Sequence, residues 1–154
     1  MPSLRSLVLA AGLGLAALPA PAQTAGKTGF DTHCIACHGE GGAGVPGVAP
    51  PLARTLRLHL AAPQAAGYLA QVVVGGLNGP LRSIDGDAYN GVMPVFGNRS
   101  SEELADILRY VATVLNDAPE GFDIAPADID AARNRKPTPA DNRALRASLL
   151  KPAR

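Results

Sequence analysis

The two cysteines of this 154-residue chain stand two residues apart, in Cys34-Ile35-Ala36-Cys37-His38, and the chain has no other cysteine. That placement constrains the fold more than any periodicity does. As a disulfide the pair would close a tiny loop and take little entropy from the unfolded chain, so it is a poor staple. The N-terminus sharpens the point. Arg5 precedes an uncharged apolar run, Leu7 to Leu18, which is followed by small residues ending Ala20-Pro21-Ala22. This is the three-part pattern of a cleavable secretory signal. The run falls well short of the roughly 20 residues a membrane-spanning helix needs. Residues 1–22 therefore read as a leader, and Gln23 to Arg154 as an exported mature chain with no stable membrane span. Export would ordinarily turn a lone cysteine pair into a staple, so the spacing calls for a chemical explanation.

Three chemistries use two cysteines at this spacing, and the residue after the second separates them. C-x-x-C-H is the attachment signature of a c-type haem. The two thiols add to the two vinyl groups of the porphyrin, and the adjacent histidine is thereby aimed at the iron. A thioredoxin-like dithiol calls for a strand before the motif and a βαβ pattern around it, whereas Gly26 to Phe30 and Asp31-Thr32-His33 show no apolar strand. A zinc site needs four ligands and would have to recruit two of His33, His38 and His59, with no second paired motif to hold the metal.

A haem iron with a histidine on one face needs a sixth ligand or an open site. Met93 is the only methionine after the initiator, and it sits in Tyr89-Asn90-Gly91-Val92-Met93-Pro94, a loop-forming stretch. Alone, such a methionine reads as a filler of core gaps; downstream of a haem motif it reads as the distal ligand. His59, in Arg57-Leu58-His59-Leu60, is the rival, but without comparable loop punctuation it reads as a partly exposed histidine. His33, beside the attachment site, reads as exposed. Arg54, Arg57, Arg82, Tyr89 and Asn90 could all reach the edge of the haem and its propionates.

These residues resemble a monohaem class I cytochrome c, and the match covers Gly26 to Asn116. The resemblance implies an all-α fold of three to four core helices around one covalently bound haem c. It implies thioethers from Cys34 and Cys37, and iron ligation by His38 and Met93. It also implies a second contact behind His38: the family's proline twelve residues on, here Pro50, accepts the imidazole N–H through its carbonyl. The family's first and last helices cross at a glycine and an aromatic residue, which Gly26 and Phe30 match, with Ile107 and Tyr110 as their expected partners.

The local patterns agree with that layout. Ser100-Ser101-Glu102-Glu103 supplies a hydroxyl cap and first-turn acids, and Leu104, Ile107, Leu108, Val111 and Leu115 then recur at helical spacing. Another helix is predicted over Gln64 to Val74, turning Tyr68, Leu69 and Val72 inward and stopping at Gly75-Gly76. Asp85-Gly86 marks a tight turn between Leu81 and Tyr89. Gly39 to Pro51, rich in glycine and proline, is a loop.

Domain boundaries follow: leader 1–22, cytochrome domain 23–116, and an extension, 117–154. In the extension Pro126 and Pro139 stand at first helical positions with acids in the first turn, so two short helices are predicted with a break at Lys136-Pro137. The extension reads as an ordered clasp. Charge is segregated here: residues 100–130 hold eight acids and one arginine, a net of −7, and residues 131–154 hold seven basic residues and one acid, +6. Such a dipole can steer docking to a partner or fold back as internal ion pairs, and the sequence does not choose between them; a solvated charged face is the commoner outcome.

The whole chain carries a net charge of +1, with no basic field for nucleic acid. Three tyrosines, three phenylalanines and no tryptophan make a thin core until a large flat cofactor completes it. With both iron faces filled, the expected function is periplasmic electron transfer without catalysis. Asn78-Gly79-Pro80-Leu81, Tyr89-Asn90-Gly91-Val92-Met93-Pro94 and the arginine-bearing tail together resemble small cytochrome subunits that accompany periplasmic dehydrogenases. The resemblance implies either a diffusing carrier, or a cytochrome subunit receiving electrons from a molybdenum- or quinone-cofactor dehydrogenase and passing them to a cytochrome or oxidase. The reading from a different class is a haem enzyme or gas sensor in which Met93 dissociates.

Overall fold

A computed structural model describes residues 21–150. The predicted leader lies outside the described residues except for its last two. Helix α1 (Pro21–His33) runs almost without interruption into the single turn α2 (Ile35–His38), because Cys34 N–H still donates to Phe30 O at 2.8 Å. A short 3-10 turn at Glu40–Gly42 leads into the glycine-rich loop. Then follow α3 (Arg57–Leu60), α4 (Ala65–Gly75), four two-residue strands and α5 (Ser101–Thr113). The chain closes with α6 (Pro126–Arg135) and α7 (Pro139–Leu149). No helix among the described residues is long and apolar enough to cross a membrane.

The frame is the crossing of α1 and α5. α5 starts where the sequence places its cap, with Ser100 Oγ accepting from Glu103 N–H at 3.1 Å. Its Ile107, Tyr110 and Val111 pack with the fully buried Phe30 of α1, whose ring lies 5.6 Å from that of Tyr110. Gly26 is obligatory at this crossing: a Cβ there would stand 2.8 Å from Tyr110 Cβ and overlap the Asp106 carbonyl. The other side of α5, Leu104, Leu108 and Ala112, faces Tyr68, Leu69, Val72 and Val73 of α4.

Ile124, Ile129 and Ala132 join that second cluster from the extension, which is therefore part of the core. Both predicted helices form, each with proline at its start. Asp128 accepts from Ala125 N–H at 2.8 Å, and Asp141 from Thr138 N–H at 2.9 Å. The break is Lys136, in the left-handed region at φ 52°. Close approach recurs at Gly75, where a Cβ would overlap the Pro137 carbonyl.

The internal ion-pair reading of the tail is corrected by these contacts. Among the described residues the tail's cations make one pair with the acidic stretch, Arg133 with Asp130 at 3.0 Å. Its arginines turn instead to backbone carbonyls: Arg133 to Gly97 and Arg99, Arg143 to Asn78, and Arg146 to Arg82. Fully buried Asn142 adds bonds to Gln71 O at 2.9 Å and Gly76 O at 2.7 Å. Asn142→Ala takes from the Gly76 carbonyl its side-chain donor and from Gln71 O its second one, and is expected to cost about 1–3 kcal/mol in chemical denaturation.

The strands form two antiparallel pairs. β2 (Leu81–Arg82) and β3 (Ala88–Tyr89) make the hairpin foreseen around Asp85-Gly86. β1 (Leu77–Asn78) and β4 (Val92–Met93) pair with Leu77 opposite Met93, so Met93 sits in a strand and not in the open loop its neighbours suggested.

Candidate functional site

Three residues apart, Cys34 and Cys37 share a helical face, and His38 follows one turn after Cys34. The loop 39–51 then folds back on this turn. Gly44 N–H donates to His38 O at 2.6 Å, and Leu52 and Ala53 N–H both donate to Gly42 O. That closure brings the Pro50 carbonyl to 3.0 Å from His38 Nδ1. A carbonyl only accepts, so Nδ1 carries the proton and Nε2 is left with its lone pair. Burial lowers the His38 pKa, against the opposing effect of the Pro50 bond, and so keeps the ring neutral.

His38, Cys34, Cys37, Pro50 and Met93 all line one cavity of about 450 Å³, within the size range of cofactor sites. The remaining wall is mainly aliphatic, from α4, α5 and the 50s loop. Burial, with a smaller contribution from Cys37, pushes the Cys34 thiol up to about 11. That is the reverse of the lowered thiol of a redox dithiol. Thiols, an imidazole lone pair, a thioether sulfur and an apolar wall together fit a covalently held haem.

Sequence reasoning misplaced both remaining histidines. His59 is 2% exposed, because the single turn α3 lies against α4 and α7 and its ring stacks on Tyr68 at 5.6 Å and 11°. Neither ring nitrogen has a hydrogen-bond partner among the described residues. His33 is half-buried, with Nε2 2.8 Å from Glu103 Oε1. Of the five candidates for the haem edge, Arg82 and Tyr89 line the cavity, whereas Arg54, Arg57 and Asn90 do not. Arg57 sits in the same single turn as His59 but is exposed. Arg146 of α7 also lines the cavity and was missed, since nothing local marks it.

The cytochrome c family model matches residues 23–115. Cytochrome c-552 of Thermus thermophilus is 37% identical over 110 residues, covering 70% of this chain and 83% of that protein. A second cytochrome c-552, from a particular strain of the same organism, shows the same identity over the same length, covering 74% of its own chain. With the match spanning the cysteine pair, the histidine and the methionine that share the cavity, the chain belongs to the cytochrome c family, which carries electrons on a covalently attached haem c and its iron.

Proposed function

We propose that the protein is a periplasmic one-electron carrier in which His38 and Met93 ligate the haem iron and Cys34 and Cys37 hold the porphyrin. Each thiol adds its sulfur and hydrogen across one vinyl group, with no by-product. The observation that carries this reading is the 3.0 Å bond from His38 to the Pro50 carbonyl, which leaves Nε2 as the free ligating atom of a residue lining the same cavity as Met93. On this reading residues 1–22 are a leader, 23–116 the haem-binding domain and 117–154 the extension.

Bound haem c supplies a one-electron iron couple. The chain's part is to fix the His38 ring through Pro50, to present the Met93 sulfur from the β1–β4 pair, and to exclude water with an apolar wall. A histidine and methionine pair in such a pocket favours ferrous iron and raises the reduction potential. Val48, 51% exposed, and Val92, 74% exposed, both line the cavity, so its mouth is apolar and open to solvent. Such a mouth suits brief docking of a redox protein over a small area, below about 1,200 Å² of buried surface. The proposed partners are a molybdenum- or quinone-cofactor dehydrogenase as donor and a cytochrome or oxidase as acceptor.

The test is the visible spectrum of protein exported from a host that matures c-type cytochromes. Wild type is expected to be low-spin with a sulfur-to-iron charge-transfer band, and Met93→Ala to lose that band and bind carbon monoxide rapidly when reduced. A wild type without the band, or one that itself binds carbon monoxide rapidly at neutral pH, would overturn Met93 ligation and favour an open-site haem enzyme or sensor. Copurification of a dehydrogenase subunit would mark a permanent complex in place of a diffusing carrier.

A further inference from the structure

We propose that His59 and Arg146 form the binding site for a haem propionate, which makes the C-terminal extension part of the cofactor site. The inference rests on the haem reading above. Arg146 lies outside the segment that the family model matches, residues 23–115.

The first observation is His59, 2% exposed, lining the cavity with both ring nitrogens unpartnered among the described residues. A buried polar group without a partner is costly, and a carboxylate oxygen entering the cavity would accept its N–H. The second is charge. Among the described residues the cavity is lined by two arginines, Arg82 and Arg146, and by no aspartate or glutamate. A carboxylate drawn from water into an apolar pocket needs a compensating cation, and Arg146 is permanently charged and presents a planar fork suited to carboxylates. The third is position. Arg146 Nη2 donates to Arg82 O at 2.7 Å, which pins the guanidinium where α7 meets the β2–β3 hairpin.

The groups facing this site are His59 from α3, Tyr68 from α4, Arg82 and Tyr89 from the hairpin, and Arg146 from α7, and His33 of α1, paired with Glu103, lines the same cavity. Burial, reinforced by the Arg146 charge, lowers the His59 pKa to about 4. Burial pushes Tyr68 up to about 12, with Arg146 opposing. Neither group titrates near neutrality. With Arg146 in place the propionate also stays ionised, so the reduction potential is expected to be flat between pH 5 and 9. Without Arg146 two changes follow. The uncompensated negative charge favours ferric iron and lowers the potential, and the carboxyl pKa rises into the measured range. The potential then falls with increasing pH, because each deprotonation adds negative charge near the iron.

The experiment is a spectroelectrochemical titration of the full-length holoprotein across that pH range. Arg146→Gln is expected to show the lower, pH-dependent potential, and Arg146→Lys to restore a flat profile. Arg143→Gln is the structural control: it loosens α7 from Asn78 without touching the cavity, and its potential should match wild type. Combining Arg146→Gln with His59→Phe removes any titration of the imidazole itself, and the pH dependence should persist. An Arg146→Gln potential equal to wild type at every pH, with the charge-transfer band intact, would overturn this inference alone. A wild type that lacks the band, together with a His59→Phe variant that binds carbon monoxide rapidly when reduced, would make His59 the axial ligand, which overturns both this inference and the Met93 reading.

Discussion

Gly26→Ala is expected to destabilise the holoprotein by about 2–3 kcal/mol, read as a lower denaturant midpoint at unchanged slope. The direction is the informative part. Gly26 lies inside α1, where alanine is favoured over glycine by about 1 kcal/mol on helix propensity alone. The added methyl would press on Tyr110 Cβ, 2.8 Å away, and on the Asp106 carbonyl. Backbone cannot swing aside as a side-chain tip can, so α1 and α5 must separate and loosen the Phe30–Tyr110 contact. A midpoint equal to or above wild type would show that the two helices do not need this close approach.

Ile129→Ala is expected to cost about 2–5 kcal/mol, the usual range for emptying a fully buried aliphatic site. Ile129 is 0% exposed and packs in the cluster that holds Leu69 and Leu108. It stands well beyond the residues that the family model matches, 23–115. The same change in a frayed appendage would cost nearly nothing. Loss of stability with a single unfolding transition, followed both by far-ultraviolet ellipticity and by haem absorbance, would establish that the extension and the rest of the core melt together. Two separated transitions would refute it.

The parts of this molecule legible in the sequence are those governed by local rules. Ser100 caps α5, and Pro126 and Pro139 open the two tail helices, because capping and the fixed proline angle act within one turn. The contact of His38 with Pro50 was legible only through the resemblance to a family, since the twelve-residue interval has no periodicity of its own. The pairing of Leu77 with Met93 was not legible. Two-residue strands offer no alternation to detect, and Leu77 and Met93 lie 16 positions apart. His59 was misread for a similar reason. Arg57–Leu60 is one turn, too short to display a buried face, and the ring is covered by Tyr68 on a different helix. Arg146 is harder still: α7 must fold across α4 and the hairpin before that side chain meets the cavity at all.

The contacts that fasten the tail have an asymmetric vulnerability to substitution. Arg133, Arg143, Arg146 and Asn142 all donate to carbonyl oxygens of the preceding core segment, at Gly97, Arg99, Asn78, Arg82, Gln71 and Gly76. Every amino acid presents that same acceptor. Side chains at Gln71, Arg82 and Arg99 can therefore drift without erasing a docking point, provided the backbone path is kept, whereas Gly76, at φ 75° with an added Cβ 2.8 Å from Met93 O, and Asn78, whose Oδ1 also accepts from Arg143, are held. The hydrogen-bonding part of the recognition code is written mainly on the donor side, in four residues, beside the apolar docking of Ile124, Ile129 and Ala132. A tail of this kind could be transplanted onto a related core whose surface sequence had diverged, while the reciprocal experiment, keeping the core and scrambling those four donors, would leave the acceptors unchanged and unused.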